Sequence, residues 1–335
     1  MVGSSRVDMI ELVHQFIQRR QSMKKDITVI GAAIIDILAG PVNESVFQTG
    51  SQAMEQTKMS FGGDALNESI ALSRMGKKVQ LISKVGDDEA GARVLDYMEA
   101  NGLSKECVTV EDGLITGMNI VLLDEKRERY FLTNPSSSLR KLGEADVMPY
   151  LDSASDIVCF ASIFVSPIFD IPAMERLFKE IKSKPGRILV ADMTKAKKGE
   201  TLEDLKPVLQ YVDYILPNQD EIALLTGETD PEENARLLVE AGVSCAVVKV
   251  GSKGCIIKTK KETIRVSAYP VEKVVDTTGA GDCFAAGFLY ALSSGYSLEE
   301  CGKYACATAS CAVEVIGATE GIRSVEKPME RYKSL

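Results

Sequence analysis

The chain has 335 residues, 45% of them hydrophobic and 26% charged, and a formal net charge of −9. That length accommodates one large α/β domain or two ordinary ones, and the acidic balance argues against unspecific binding to nucleic acid or anionic membranes. A single histidine, His14, excludes histidine-based triads and multi-histidine metal sites.

Residues 1–24 read apart from the rest. Ile10, Leu12, Val13, Phe16 and Ile17 trace one face of a short amphipathic helix ahead of Arg19-Arg20, so this leader is an added expression segment or an appended helix. It lacks a signal-peptide layout, and no apolar run in the chain reaches transmembrane length. From Ile27 apolar strands alternate with amphipathic helices. Strand 27–31 ends in a glycine, and the segment from Ile30 to Ile35 runs on as a strand with Asp36 at its end. Helix 67–75, strand 79–83 and helix 90–101 follow, the last closing at Gly102. Further strands are predicted at 157–160, 188–191, 214–216 and 246–250. Continuous apolar strands between helices imply a mostly parallel sheet covered on both faces, that is, an α/β fold.

Two stretches break this rhythm. Residues 37–61 are polar and lack long apolar runs, while 117–123 and 128–133 resemble a hairpin around Asp124. Together, segments of about 37–61 and 115–133 predict a small β lid, the plainer alternative being two surface loops. The strand 119–123 is mostly apolar, which predicts burial on both of its faces.

The chemistry concentrates in two motifs. Near the C-terminus Asp276-Thr-Thr-Gly279-Ala280-Gly281-Asp282 opens an apolar, small-residue helix. A Gly-Ala-Gly turn at a helix start aims unpaired N–H groups at one point, with the helix dipole adding positive charge. An aspartate beside such an anion hole opposes simple phosphate binding, but suits a base that takes a proton from a hydroxyl while the N–H groups hold a transferring phosphoryl group. A Gly-rich turn capped by aspartate is the plain alternative. No Gly-Lys-Ser/Thr follows, so the motif is no Walker P-loop, and the third glycine of a dinucleotide fingerprint is missing. The second motif is Phe61-Gly62-Gly63-Asp64-Ala-Leu-Asn67. Its glycines let the backbone approach a ligand, and Asp64 and Asn67 offer acceptors and a donor for sugar hydroxyls, although Asn67 is equally a helix cap by position.

These two motifs resemble the signatures of the ribokinase-like (PfkB) sugar and nucleoside kinases, and the resemblance runs from about Lys25 to the C-terminus. It implies a ribokinase-like kinase domain over 25–335, with Asp282 as catalytic base and Gly279, Ala280 and Gly281 as the anion hole. Asp36 matches the family aspartate that grips two substrate hydroxyls, though the family's frequent neighbouring Asn is Ile34 here. Asn218 and Glu221 resemble the Asn-x-x-Glu motif that serves a hydrated Mg2+, with an acid-rich helix start as the alternative. Lys249, Gly251 and Gly254 resemble the turn beside the nucleotide phosphates. The small-residue helix 305–315 and Gly317 would flank adenine. Asp276 and Thr278, with the backbones of Ala312, Val315 and Gly317, match the family's K+ site, while Gly321 stands where many relatives have Ser.

The implied activity is ATP- and Mg2+-dependent phosphorylation of a hydroxymethyl group on a small sugar or derivative. A nucleoside kinase of the same fold, with Phe47, Met118 or Phe131 at the base, is the rival. A silent sugar sensor is the more distant one. For a keto-deoxysugar acid, Arg127 or Arg129 would meet the carboxylate. Eight cysteines without Cys-x-x-Cys spacing suggest reduced thiols in the cytoplasm, and pairing of lids predicts a homodimer. Neither nucleic acid nor membrane is expected as a partner.

Overall fold

The computed structural model describes residues 25–126 and 128–335. The expected leader helix and Arg127 lie outside the described residues. Thirteen strands are described: β1 Ile27–Ile30, β2 Ile34–Gly40, β3 Gln56–Gly62, β4 Val79–Gly86, β5 Val108–Glu111, β6 Met118–Leu123, β7 Arg129–Thr133, β8 Ile157–Ile163, β9 Ile188–Met193, β10 Tyr214–Ile215, β11 Cys245–Lys249, β12 Cys255–Thr259 and β13 Thr263–Val266. Nine form one sheet in the order β13-β12-β11-β10-β9-β8-β1-β4-β5. From β11 to β5 all neighbours are parallel, and β12 and β13 extend the edge as an antiparallel hairpin.

Strand residues feed two cores alternately, as a period of two requires. Ile27 and Val29 of β1, Cys159 of β8 and Val247 of β11 join one core; Ile30, Val158, Phe160 and Val248 join the other. Helices α1 Asp64–Arg74, α2 Glu89–Ala100, α3 Ile171–Ser183, α4 Gln219–Thr226, α5 Pro231–Glu240, α6 Ala280–Ser293 and α7 Leu298–Ala312 cover the sheet. The first core takes α1, α6 and α7, and the second takes α3 and α5. Burial on both faces explains why β1 and β4 read as unbroken apolar or buried runs.

The remaining four strands build a separate sheet in the order β3-β2-β6-β7, two antiparallel pairs joined by the parallel pair β2–β6. It stands as a lid at one end of the large sheet. Two expectations change here. The run 30–35 is not one strand: β1 stops at Ile30, Gly31 takes φ 157°, and the chain restarts in the lid at Ile34, so Asp36 lies inside β2 rather than at a strand end. Nor is β6 buried on both faces. Val121 and Leu123 are covered within the chain, whereas Ile120, on the other face of the strand, is open.

Candidate active site

Strand order reverses at β1, whose parallel neighbours are β4 and β8, and ligands of open α/β sheets settle outside the carboxyl ends of strands at such a switch. The carboxyl ends here carry Ser162 (β8), Asp192 (β9) and Lys249 (β11), and Asn218 follows β10 directly, bridged in parallel register to Lys249. The chain enters the crevice from the lid through Gly62 and Gly63. Gly63 caps α1 at φ 93°, and a Cβ there would stand 2.5 Å from the Ala32 carbonyl oxygen. A Cβ on Gly62 would run into the Asp36 carboxylate. The two glycines thus let the end of β3 pass close to Asp36 and the start of α1 close to Ala32, just ahead of Asp64.

Asp36 pairs in register with Ser60 and Asn119. Asn119 Nδ2 donates to Asp36 Oδ1 at 2.9 Å, and Thr133 Oγ1 donates to Asn119 Oδ1 at 2.9 Å. This relay escaped sequence reasoning. Its signal is two polar side chains, Asn119 and Thr133, paired across otherwise apolar strands on the Asp36 side.

Asn67 lies one turn into α1, and its Nδ2 donates to Asp282 Oδ2 at 2.7 Å. The two glycine motifs, 215 residues apart, therefore meet in one hydrogen bond. Asp282 sits in the first turn of α6, whose N-cap Gly279 has φ 69°, where a Cβ would collide with the Ala318 carbonyl. The N–H groups of Gly279, Gly281 and Asp282 find no acceptor among the described residues. They are the orphan donors of a helix start, held open beside a carboxylate.

Electrostatics single out the same group. Burial pushes the Asp282 carboxyl well above the usual carboxylate range, and the charge of Asp64 pushes it further, while the Asn67 bond opposes both. Asp64 is raised by burial and partly relieved by a hydrogen bond with Ser162 and by Lys249. Lys249 Nζ pairs with Asp192 Oδ2 at 2.6 Å and lies 3.6 Å from where a Cβ on Gly281 would sit, so its charge reaches the anion turn. Burial raises Asp192 to about 7 in spite of that ion pair. Glu68, one residue past Asn67, is wholly buried. It accepts from Cys159 Sγ at 3.2 Å with one oxygen while the other lacks a partner, and burial raises it well above its ordinary range. Lys249 was expected only as part of a phosphate-side turn. Asp192 and Glu68 were not expected at all, since isolated acids in apolar runs carry no motif.

The sequence model of the pfkB family of carbohydrate kinases matches residues 24–324. The chain belongs to that family. It is accordingly a phosphotransferase with an alcohol group as acceptor. It is 36% identical over 269 residues to an "uncharacterized sugar kinase" of Archaeoglobus fulgidus, covering 77% of this chain and all of that one. It is 24% identical over 314 residues to a ribokinase of Haemophilus influenzae, covering 92% of this chain and 98% of that one. Among solved structures, Arabidopsis thaliana ribokinase complexed with ribose and ATP superposes with a TM-score of 0.79 at 23% identity, covering 93% of this chain and 99% of the other.

The other expected residues of the kinase fall around this centre. Asn218 caps α4: its Oδ1 accepts from Asp220 N (3.0 Å) and Glu221 N (2.8 Å), while Glu221 Oε2 accepts from Asn218 N at 2.8 Å. The pair is thus a reciprocal capping box, and a metal would share or displace these bonds. Gly251 and Gly254 take φ 59° and 99° in the turn after β11, and a Cβ on Gly254 would collide with the Val266 carbonyl. Asp276 Oδ1 accepts from Thr278 N (2.9 Å) and Thr278 Oγ1 (2.6 Å), and Oδ2 accepts from Gly317 N at 3.0 Å. Asp276 therefore ties the 276–278 loop to the 312–317 loop. At Gly321 a Cβ would collide with the Cys311 carbonyl, so the serine of many relatives does not fit this backbone. Arg74 of α1 adds a clamp, donating to the carbonyls of Thr319 (2.9 Å) and Ile322 (3.2 Å). No helix among the described residues is long and apolar enough to cross a membrane.

Proposed function

We propose that the protein transfers the γ-phosphoryl group of ATP to a hydroxymethyl group of a small sugar or sugar derivative, with Asp282 as the base. The observation that carries this reading is the juxtaposition of an ionisable, half-buried carboxylate with three acceptor-less N–H groups at the start of α6. Asp36, braced by Asn119, and Asp64 orient the sugar hydroxyls. Asn67 holds Asp282 in place. Asp282 accepts the proton of the attacking hydroxyl, and the raised carboxyl makes it a stronger base than an exposed aspartate. The N–H groups of Gly279, Gly281 and Asp282, with Lys249 beside them, receive the charge of the moving phosphoryl group. Asp192 is a positioning residue that fixes the Lys249 ammonium.

The donor set fits a hard cation. Asp64, Asp192, Glu221 and Asp282 all act on the ammonium of Lys249, with Glu68 as a further carboxyl among them, and polyphosphate would add more negative charge. Asn218 and Glu221 would hold Mg2+, which supplies charge neutralisation between the phosphates. The loops joined by Asp276 are the candidate seat of K+. The lid would exclude water from the acceptor, and a second copy of the chain would cover its open face. There Met59, Ile120 and Leu132 are 44%, 41% and 53% exposed and align through the pairings with Ile37 and Ile120.

An ADP-release screen with Mg2+ against pentoses, ketohexoses, sugar acids and nucleosides tests the reading. Acceptor-dependent ADP formation supports it. Tight sugar binding with no ADP formed from any class would overturn it, and turnover restricted to nucleosides would replace the sugar with its rival.

A further inference from the structure

A cavity of about 470 Å³ lies between the segment after β8 and the loop after β9. Phe164, Phe169 and Met174 supply apolar wall, and three cations, Arg140, Lys197 and Lys198, join the acids Asp170 and Glu200 among its polar lining. Among the described residues none of these three is in an ion pair, although other basic side chains such as Arg93, Arg176, Arg236 and Arg265 are. Arg140 spends one N–H on the Val165 carbonyl at 2.5 Å. The acids of the cavity are already engaged: Glu200 Oε2 accepts from Lys197 N (3.0 Å) and Lys198 N (2.8 Å), and Asp170 caps α3 by accepting from Ala173 N at 2.9 Å.

Like charges gathered at a partly dry wall cost free energy unless an anion joins them. The cost is visible in the groups themselves. Burial lowers the Arg140 guanidinium, and burial together with Arg140 lowers the Lys197 ammonium, Asp64 and Glu200 offsetting this only in part. Phe164 adds an independent mark. It is the one non-glycine residue with positive φ among those described, at 73°, a conformation unfavourable for a side chain of its size and typical of ligand sites. The cavity also belongs to the acceptor side. Lys197 acts electrostatically on Asp64, and Ser162, two residues before Phe164, bonds the Asp64 carboxyl.

We propose that this cavity receives an anionic group, a carboxylate or a phosphate, carried by the acceptor substrate and held by Arg140 and Lys197. The acceptor is then a sugar acid or a sugar phosphate. The proposal rests on the reading of Asp36, Asp64 and Asn67 as the acceptor site. Guanidinium and ammonium groups converging on one anion supply charge-assisted hydrogen bonds that a neutral sugar cannot use.

Matched acceptors test it on the full chain with ATP and Mg2+. D-Fructose and 2-keto-D-gluconate differ only at C1, a hydroxymethyl group against a carboxylate; D-fructose and D-fructose 6-phosphate differ only by the phosphate. The expected result is a kcat/KM at least about tenfold higher for one acidic member than for fructose. Which member is preferred identifies the anion. Lys197→Gln should lower that selectivity ratio by at least about tenfold, mainly through KM, with little change in melting temperature because no ion pair of Lys197 is lost. Arg140→Gln should act in the same direction. Fructose preferred over both acids, or a ratio unaltered in Lys197→Gln, would overturn the proposal while leaving the kinase reading in place. Equilibrium binding of the same three compounds without nucleotide separates the two ideas. Charge-selective binding that Lys197→Gln abolishes, with no ADP formed, would support the cavity and remove phosphoryl transfer; no charge selectivity in binding would overturn the cavity.

Discussion

Replacing Asn67 by leucine keeps the branched side-chain shape and deletes the 2.7 Å bond from Nδ2 to the Asp282 carboxylate. That bond favours the ionised form of a carboxyl that burial and Asp64 otherwise push upward. Its loss therefore moves the Asp282 pKa further up. A hydrogen bond to a charged group contributes about 1.5–3 kcal/mol, which corresponds to a loss of about 10- to 100-fold in kcat at neutral pH. A base works only when ionised, so the rate climbs as pH rises through its pKa, and the acid limb of the kcat profile should shift to higher pH in the variant. Part of the lost rate should return under alkaline conditions. Stopped or coupled ADP assays across the pH range, alongside thermal melts, separate this from simple damage to α1. A variant with the wild-type acid limb and kcat within about threefold would refute the coupling between the two motifs.

Asp282→Asn should lower kcat by at least about 100-fold with nucleotide binding nearly intact. It should also raise the melting temperature: an aspartate whose pKa is higher folded than unfolded loses stability as pH rises from the unfolded value through the folded one, and asparagine does not, so the gain should grow with pH. Asp36→Ala or Asn119→Ala should raise the acceptor KM by about tenfold or more with little change in melting temperature, since about 1.5–3 kcal/mol of charge-assisted bonding is lost or misaligned. Lys249→Met should lower kcat more than it alters acceptor KM, and Asp192→Asn should reproduce a milder form of the same defect, in steady-state kinetics with both substrates varied. Ile120→Asp should reduce dimer content in light scattering without unfolding the chain, whereas a charge at the buried Val121 or Leu123 should cost stability first; a monodisperse, fully active monomer would remove the lid as an interface.

The parallel core was legible because its central strands are buried on both faces, which leaves continuous apolar runs such as 157–161 and 246–248. The edges were not. β5 has Val110 exposed, and β12 and β13 flank the charged turn 259–262, towards which both strands lose their burial, so their pattern is that of a surface hairpin. The break between β1 and β2 was missed because apolarity persists across 30–35 while the chain changes sheets. At the site, motifs with glycine spacing could be read, since a positive φ or a close approach constrains residue type at Gly63 and Gly279. Asn119, Asp192, Glu68, Arg140 and Lys197 could not. Their roles come from long-range packing, and each is an ordinary polar residue in its own segment.

The account stands most directly on the product. Phosphorus NMR of a reaction with ATP, Mg2+ and the best acceptor should show ADP together with one new phosphomonoester coupled to methylene protons, formed in equal amounts, and neither should appear with Asp282→Asn at the same enzyme concentration. Inorganic phosphate in place of the ester, or the same ester formed at the wild-type rate by Asp282→Asn, would contradict it.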